Sequence, residues 1–451
     1  MPIEPVQMDL FSSVQVHSPP KERISPSHYR ETLRSLLSED LDFHGENSSY
    51  ATHNFHAFPA KFPPQLPKKF INGLTLPCEI VLDPMSGSGT AVLEALLLGR
   101  HGIGADIDPI ALNLAKVKVT HLDPGELIRN AESIIKRAEH TLQNGKEALQ
   151  SALNTRFDPS TKKFVDYWFL KETQLELLSL IKPIEELADP DLRRFFQIAF
   201  SSIVITKSGG VSLAYDLAHT RPHKIMEKIP RPALDEFQKR LNKNLKNIGK
   251  LNWSMGRADI LCGDAQAMGL ADYSIDLVIT SPPYASNAID YMRAHKFSLV
   301  WCGHSIDSLS KKRADYIGGE RTRDFAMRDL PDYSERIISK LNEKDPKKGS
   351  VLRRYYTEMS LCLSEMFRVL KSGKAAIIVV GSSTMRGIDT ETAKCLGEIG
   401  KTVGFELVDI AERKLDRNKR MMPARKHGES GSQIEERMHK EHILGFLKPH
   451  H

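Results

Sequence analysis

The chain is short of cysteine: five in 451 residues, Cys78, Cys262, Cys302, Cys362 and Cys395, no two of them close together. That scatter excludes a zinc finger or ribbon, whose ligands come in short paired steps, and the disulfide framework of a small secreted domain. No metal site is expected. Long apolar runs are also missing, since no stretch approaches the roughly 20 residues of a membrane span, and no signal-peptide pattern stands at the start. A cytoplasmic protein with no membrane partner is the expectation. Internal repeats are lacking too. A large excess of one charge is lacking: Lys and Arg number 63 against 57 Asp and Glu, a net +6, so the chain is mildly basic and not histone-like.

The basic excess is local. "RKLDRNKRMMPARKH" (413–427) holds seven Lys or Arg against one Asp, and "KKRADYIGGERTR" (311–323) and "KDPKKGSVLRR" (344–354) are also basic. Several such runs around one site suit a polyanionic partner better than a solvated surface does.

Along the chain, residues 1–27 are rich in Pro and Ser without periodicity, which predicts a flexible tail. A short helix is expected near 28–38, then a proline-pinned extended segment, "HNFHAFPAKFPPQLPKKFI" (53–71). From 79 the pattern turns regular. "EIVLDP" reads as a strand, "MSGSGT" as a glycine turn, "AVLEALLLG" as a helix, "HGIGADID" as a second strand and "PIALNLAKVKVT" as a second helix with Pro109 at its start. Strand and helix alternating within some forty residues predict a parallel βαβ unit, hence an α/β fold. Residues 123–255 break this rhythm with apolar spacings of three and four, predicting a mainly helical insertion. Strands resume at 258–265, 275–284 and 374–383, the last after a helix "YYTEMSLCLSEMFRVL", and "EHILGFLK" (441–448) reads as a closing strand.

The turn "LDPMSGSGT" (82–90) brings Asp83, Pro84, Ser86, Gly87, Gly89 and Thr90 to the end of the first strand. Glycine there lets the backbone approach a ligand lying beyond the strand's carboxyl end. It is G-x-G without the third glycine of the dinucleotide fingerprint, and no P-loop lysine follows, so neither a nicotinamide oxidoreductase nor an ATP site is the closest match. Asp106 and Ile107 end the second strand about twenty residues on, where a carboxylate accepts hydrogen bonds from ribose hydroxyls. Asp264 and Ala265 end the third, placed to read an adenine edge. Asp108, just before Pro109, is expected to be a helix N-cap. A ligand with ribose and adenine but no phosphate cradle fits.

Downstream stands "TSPPYASNAIDY" (280–291), where two prolines end an apolar run that reads as a buried strand. Proline cannot continue a central strand. "DPMSGSGT" followed by "TSPPY" resembles the S-adenosylmethionine-dependent amino-methyltransferases of DNA, the cytosine-N4 and adenine-N6 type, whose catalytic motif is Asp, Asn or Ser followed by Pro-Pro and Tyr or Phe. The resemblance covers 53–122 and 256–384 well and the insertion hardly at all. It implies a Rossmann-like, seven-stranded methyltransferase sheet, formed by 28–122 with 256–451 and interrupted by the helical block 123–255.

The resemblance also accounts for the prolines. A base's exocyclic amine is a poor nucleophile because its lone pair is delocalised into the ring. Ser281 Oγ and the Pro282 carbonyl, held by the stiff Pro282–Pro283 backbone, are the implied acceptors that favour a pyramidal nitrogen. Tyr284 is implied to stack on a base flipped from the duplex. Ser in the first position points to cytosine N4, with adenine N6 and an RNA amine, whose enzymes usually carry Asn first, as alternatives. A non-enzymatic DNA-binding protein with a decayed fold is disfavoured by the intact motifs. "FHAFPAKFPPQLPKKFI" is similar to the segment that closes over the cofactor's methionine end, making Lys61, Phe62 and Pro63 candidates. The motif order differs from the circular permutation common among cytosine-N4 enzymes, which leaves two candidates for the element reading the target, the insertion, around "TKSGGVSLAYDLAHTRPHK" (206–224), and a basic loop 304–354; both are expected to clasp DNA. Candidate DNA contacts are Arg221, Lys224, Lys311, Lys312, Arg313, Arg321, Arg323, Arg417, Arg420 and Arg425. Implied partners are double-stranded DNA and a cognate restriction endonuclease, in the nucleoid of a bacterium or archaeon. "QMDLF" (Gln7–Phe11) resembles the short peptides that dock on the bacterial sliding clamp.

Overall fold

The computed structural model describes residues 26–59, 61–206, 209–215, 217, 222–248, 256–285, 291–319, 325–381, 383–415 and 440–450. Seven strands build its main sheet: β1 (Ile80–Asp83), β2 (His101–Asp106), β3 (Arg257–Cys262), β4 (Ile275–Thr280), β5 (Leu370–Gly381), β6 (Glu406–Lys414) and β7 (Lys440–Leu447). Their order is β3-β2-β1-β4-β5-β7-β6. The first five run parallel, and β7 lies antiparallel between β5 and β6. Chain order runs outward from β1 to β3 on one side and from β4 to β5 on the other, where the last strand, β7, then inserts between β5 and β6. The switch point therefore falls between β1 and β4, and in open α/β sheets a ligand crevice forms at the carboxyl ends there.

Central strands read as continuous apolar runs because helices cover both faces; β4 is buried at every position. Alternate residues go to opposite layers. Val81, Leu277, Ile279, Ile377 and Val379 pack with α1 (Pro26–Ser38), α2 (Gln65–Leu74) and the start of α3 (Thr90–Leu97). Leu82, Val278, Ala376, Ile378 and Val380 face the other layer.

After α4 (Pro109–Val119) come six helices in the place of the expected insertion: α5 (Pro124–Asn144), α6 (Lys146–Arg156), α7 (Pro159–Trp168), α8 (Lys171–Glu185), α9 (Pro190–Val204) and α10 (Ala233–Ile248). They share one apolar core with α4 and with α11 (Tyr291–Leu299), the helix that follows β4. Beyond it lie α12 (Ile306–Lys312), α13 (Asp332–Lys344), α14 (Pro346–Val369) and α15 (Thr392–Val403). The layer facing Leu82 and Val278 is built largely from α13, α14 and α15.

Two expectations change. The basic stretch 304–354 is not a loop, because α12, α13 and the first turns of α14 run through it, and Arg353 and Arg354 are tied to Glu335 and Glu358. In the 413–427 run, Arg413 is buried against Glu441 rather than presented to a partner. Among the described residues, no helix is long and apolar enough to cross a membrane.

Candidate active site

The turn after β1 needs its glycines for two separate reasons. Gly87 and Gly89 both have positive φ, 48° and 72°, which side chains rarely tolerate. A Cβ on Gly89 would stand 2.8 Å from that of Ala115, so this glycine lets α3 close on α4. A Cβ on Gly87 would point at the Phe58 ring, 3.3 Å away, into the space above the strand ends. The Gly87 N–H donates to Asp106 Oδ2 over 2.8 Å, which fixes the turn against β2.

That space is a cleft of about 620 Å³ at the switch point. It is lined by Pro84, Met85 and Gly87 after β1, Asp106, Ile107 and Asp108 after β2, Gly263, Asp264 and Ala265 after β3, and Ser281 and Pro283 after β4. Phe58, Tyr291, Asp315, Tyr316 and Ile317 close it. A side arm of about 340 Å³ continues past Ser281 and Gly87 to Lys61, Phe62, Asp83, Ser86, Ser88 and Thr90. The sequence motifs of four different strands thus meet in one place. Pro63, Gly89, Pro282 and Tyr284 are adjacent in sequence but do not line it.

The walls are largely apolar, and carboxylates supply most of their charge: Asp106, Asp108, Asp264 and Asp315 in the cleft and Asp83 in the arm. Asp83 is buried and its Oδ1 accepts from the Thr280 hydroxyl at 2.7 Å, joining β1 to β4 one residue before Ser281. Burial pushes its carboxyl up to about 7 against the pull of that hydrogen bond. Asp106 is pushed up to about 6 by burial and by the charge of Asp108. Burial would raise Asp108 as well, but His295 and the Tyr316 hydroxyl outweigh it and hold this carboxyl down to about 2. Asp108 is indeed the N-cap of α4, accepting from Ile110 and Ala111, while its second oxygen meets His295 Nδ1 at 2.8 Å and Tyr316 Oη at 2.6 Å. A cleft with these hydrogen-bond acceptors suits a cationic ligand bearing hydroxyls, and the open face of Gly87 leaves room for it.

The corner after β4 is held from outside the cleft. Tyr284 is 8% exposed and its hydroxyl donates to Glu441 Oε1 over 2.8 Å. Its ring lies on Gly381, where an added Cβ would be 2.9 Å from Cζ. Glu441 pairs across the sheet with Gly381 on one side and Arg413 on the other, and Arg413 Nε reaches Glu441 Oε2 at 2.8 Å. The expected stacking residue is therefore tucked under the corner. The aromatic wall of the cleft is Tyr291, stacked on Phe58 with centroids 5.4 Å apart. Lys61 Nζ donates to the His53 carbonyl at 3.0 Å while lining the arm.

Of the expected DNA contacts, Lys311 and Lys312 end α12 and Arg313 opens the 3-10 turn Arg313–Asp315, which runs straight into the cleft wall at 315–317. Lys224 stands over the Tyr167 ring at 4.5 Å. Arg221, Arg321, Arg323, Arg417, Arg420, Arg425 and the Gln7–Phe11 segment lie outside the described residues. Sequence reasoning passed over Phe58, Thr280 and Tyr291, although all three stand inside the stretches it singled out. His295, Tyr316, Gly381 and Glu441 left no local signal.

With this geometry in place, comparison with known proteins is informative. A family profile described as DNA methylase, of the N6 and N4 type, matches residues 16–117. The Type II methyltransferase M.MvaI of Kocuria varians is 28% identical over 87% of this chain and 91% of its own. The Type II methyltransferase M.AvaI of Nostoc sp. is 21% identical over 74% of each. Among solved structures, a TehB-like S-adenosylmethionine-dependent methyltransferase from Corynebacterium glutamicum aligns over 94% of this chain and 97% of its own, at 10% identity and a TM-score of 0.27, too loose a likeness to assign any residue.

Proposed function

The chain belongs to the N6/N4 DNA methylase family, and from that premise we propose that this S-adenosylmethionine-dependent Type II DNA methyltransferase modifies N4 of cytosine. One observation carries the reading: Ser281 and Pro283 share a single cleft with Gly87, Asp106 and Asp264. Donor site and acceptor corner stand side by side because β1 and β4 are neighbouring parallel strands.

S-adenosylmethionine, when bound, supplies an electrophilic methyl on a sulfonium sulfur. Asp106 takes the ribose hydroxyls, Asp264 and Ala265 the adenine, and Lys61 with Phe62, Thr90 and Ser86 the methionine end in the side arm. Asp83 places negative charge near the cation. Ser281 Oγ and the Pro282 carbonyl accept the two amine N–H groups of the extruded base, which leaves the nitrogen lone pair free. Tyr284, fixed beforehand by Glu441 and Gly381, braces the corner from behind, and Tyr291 is the aromatic wall left to face that base. Serine at 281 favours cytosine over adenine. The Type II relatives add a partner to the proposal, a restriction endonuclease that shares the recognition sequence.

The test is to incubate purified protein with methyl-labelled cofactor and plasmid DNA and identify the labelled base. N4-methylcytosine is expected; N6-methyladenine would overturn the cytosine assignment, and absence of transfer the reaction itself. Ser281→Ala is expected to lower kcat roughly 10²- to 10³-fold, as loss of one preorganised polar contact does elsewhere, with cofactor affinity unchanged.

A further inference from the structure

Eight large apolar or aromatic side chains are exposed among the described residues, and five of them, Tyr167, Leu170, Tyr215, Met226 and Ile229, belong to the junction of α7 with α8 and to the stretches 211–215 and 222–229. They form one surface. The Leu213 N–H donates to the Trp168 carbonyl, Ala214 bridges Lys224, the Tyr215 ring lies 5.2 Å from that of His223, and Lys224 covers Tyr167. Lys228 ties the base of this hairpin by donating to the Gly209 and Ala214 carbonyls. The apolar groups are thus held outward on a braced scaffold: Met226 is 75% and Ile229 90% exposed. Clusters of this kind on a soluble surface mark a binding face.

Charge says which partner. Residues 206–231 contain five Lys or Arg and two His against two acids, a balance that suits a polyanion. Position agrees. The hairpin follows α9, whose Ser201 Oγ lies 3.0 Å from His56 Nε2, two residues before the cleft-lining Phe58. It also rests on α7, whose Trp168 packs on Phe297 of α11 at 4.9 Å, and α11 begins with the cleft-lining Tyr291.

We propose that the paired stretches 211–215 and 222–229 are a DNA-contacting element that sets Tyr215, Met226 and Ile229 against the duplex beside the base drawn into the cleft, with Lys224 near the phosphates; this rests on the methyltransferase reading above. Extruding a base leaves a gap in the stack, and apolar wedges between base steps are a known way to hold a distorted duplex. A mixed apolar and cationic face serves both contacts, whereas a purely electrostatic one would only position the backbone.

The experiment compares full-length Tyr215→Ala and the double variant Met226→Ser with Ile229→Ser against Tyr273→Ala. Tyr273 is equally exposed, at 53%, but precedes β4 at the opposite end of the sheet. Binding is read by anisotropy with fluorescent duplex fragments of a plasmid the parent methylates. The hairpin variants are expected to bind about tenfold more weakly, the scale of a lost interface anchor, and to raise KM for DNA. Thermal midpoint and cofactor affinity stay unchanged, and Tyr273→Ala behaves as the parent. Hairpin variants that bind DNA like the parent would overturn the proposal, as would variants that lose self-association alone in sedimentation, which would make the patch a contact between copies. A parent protein that transfers no methyl to any DNA would refute the enzyme reading separately.

Discussion

Substituting Gly381 by alanine adds one methyl group behind Tyr284 and nothing inside the cofactor cleft. The new Cβ would meet ring atoms Cζ, Cε2 and Cε1 at 2.9, 3.1 and 3.3 Å, where ordinary carbon contacts are about 3.5–4.0 Å. Gly381 ends β5, whose backbone is fixed between β4 and β7, so the tyrosine ring must yield by roughly 0.5–1 Å. Overpacking of this kind costs about 1–3 kcal/mol. The hydroxyl is held to Glu441 at 2.8 Å, so a moving ring also stretches a hydrogen bond to a charged group. A displacement near 1 Å in a positioned group costs on the order of 10²-fold in rate. Methyl transfer by Gly381→Ala should therefore fall between about ten- and a hundredfold in kcat, with the dissociation constant for S-adenosylmethionine unchanged, because Gly381 does not line the cleft. Tyr284→Phe is the companion: it removes the hydroxyl, keeps the ring, and should cost stability more than turnover. Single-turnover transfer and isothermal titration of the cofactor read the two quantities. A Gly381→Ala enzyme with parental kcat would refute the idea that the corner's geometry is set from behind by this ring.

Three other perturbations test separate parts of the site. Asp108→Asn breaks the buried contact with His295 and should destabilise the fold by about 3–5 kcal/mol, read in a thermal or urea melt; since this carboxyl is held down to about 2, its stabilisation is present above about pH 4 and is lost as pH falls toward 2. Asp83 and Asp106 are pushed the other way, to about 7 and about 6. The folded protein holds their protons more tightly than the unfolded chain, so without ligand it should lose stability as pH rises from about 4 to about 7. Cofactor affinity should rise over pH 5.5–7.5, as these carboxylates ionise beside a sulfonium, and more steeply than affinity for the product, whose sulfur is neutral; equal slopes in a titration series would contradict this. Deleting residues 1–12 should abolish binding to a bacterial sliding clamp measured by surface plasmon resonance, and unchanged affinity would end the docking hypothesis for Gln7–Phe11.

Much of the catalytic half was legible because its signals act over a few residues. The apolar run of β1, the glycines at 87 and 89, the Asp108–Pro109 helix start and the proline stop after β4 each constrain φ, ψ or a nearby N–H, whatever surrounds them. β6 escaped because it is a polar edge strand with little alternation in burial, so neither periodicity nor apolar content marks it. The stretch 332–344 escaped as a helix because it lies between two basic runs and reads with them as one loop, although one of its faces is buried.

The sequence by itself determined which local pieces exist and which atoms they offer: a turn open to a ligand, acids at the ends of β2 and after β3, and a rigid serine-proline corner. Only the tertiary structure decided that these pieces face one another. That follows from strand order, since β4 enters the sheet beside β1 after the chain has built β2, the six inserted helices and β3. It decided equally that Tyr284 is braced by Glu441 and Gly381 and that Asp108 is answered by His295 and Tyr316. Those partners lie far apart in the chain, and no rule acting along a short stretch of backbone relates them. Packing the two layers onto the sheet does.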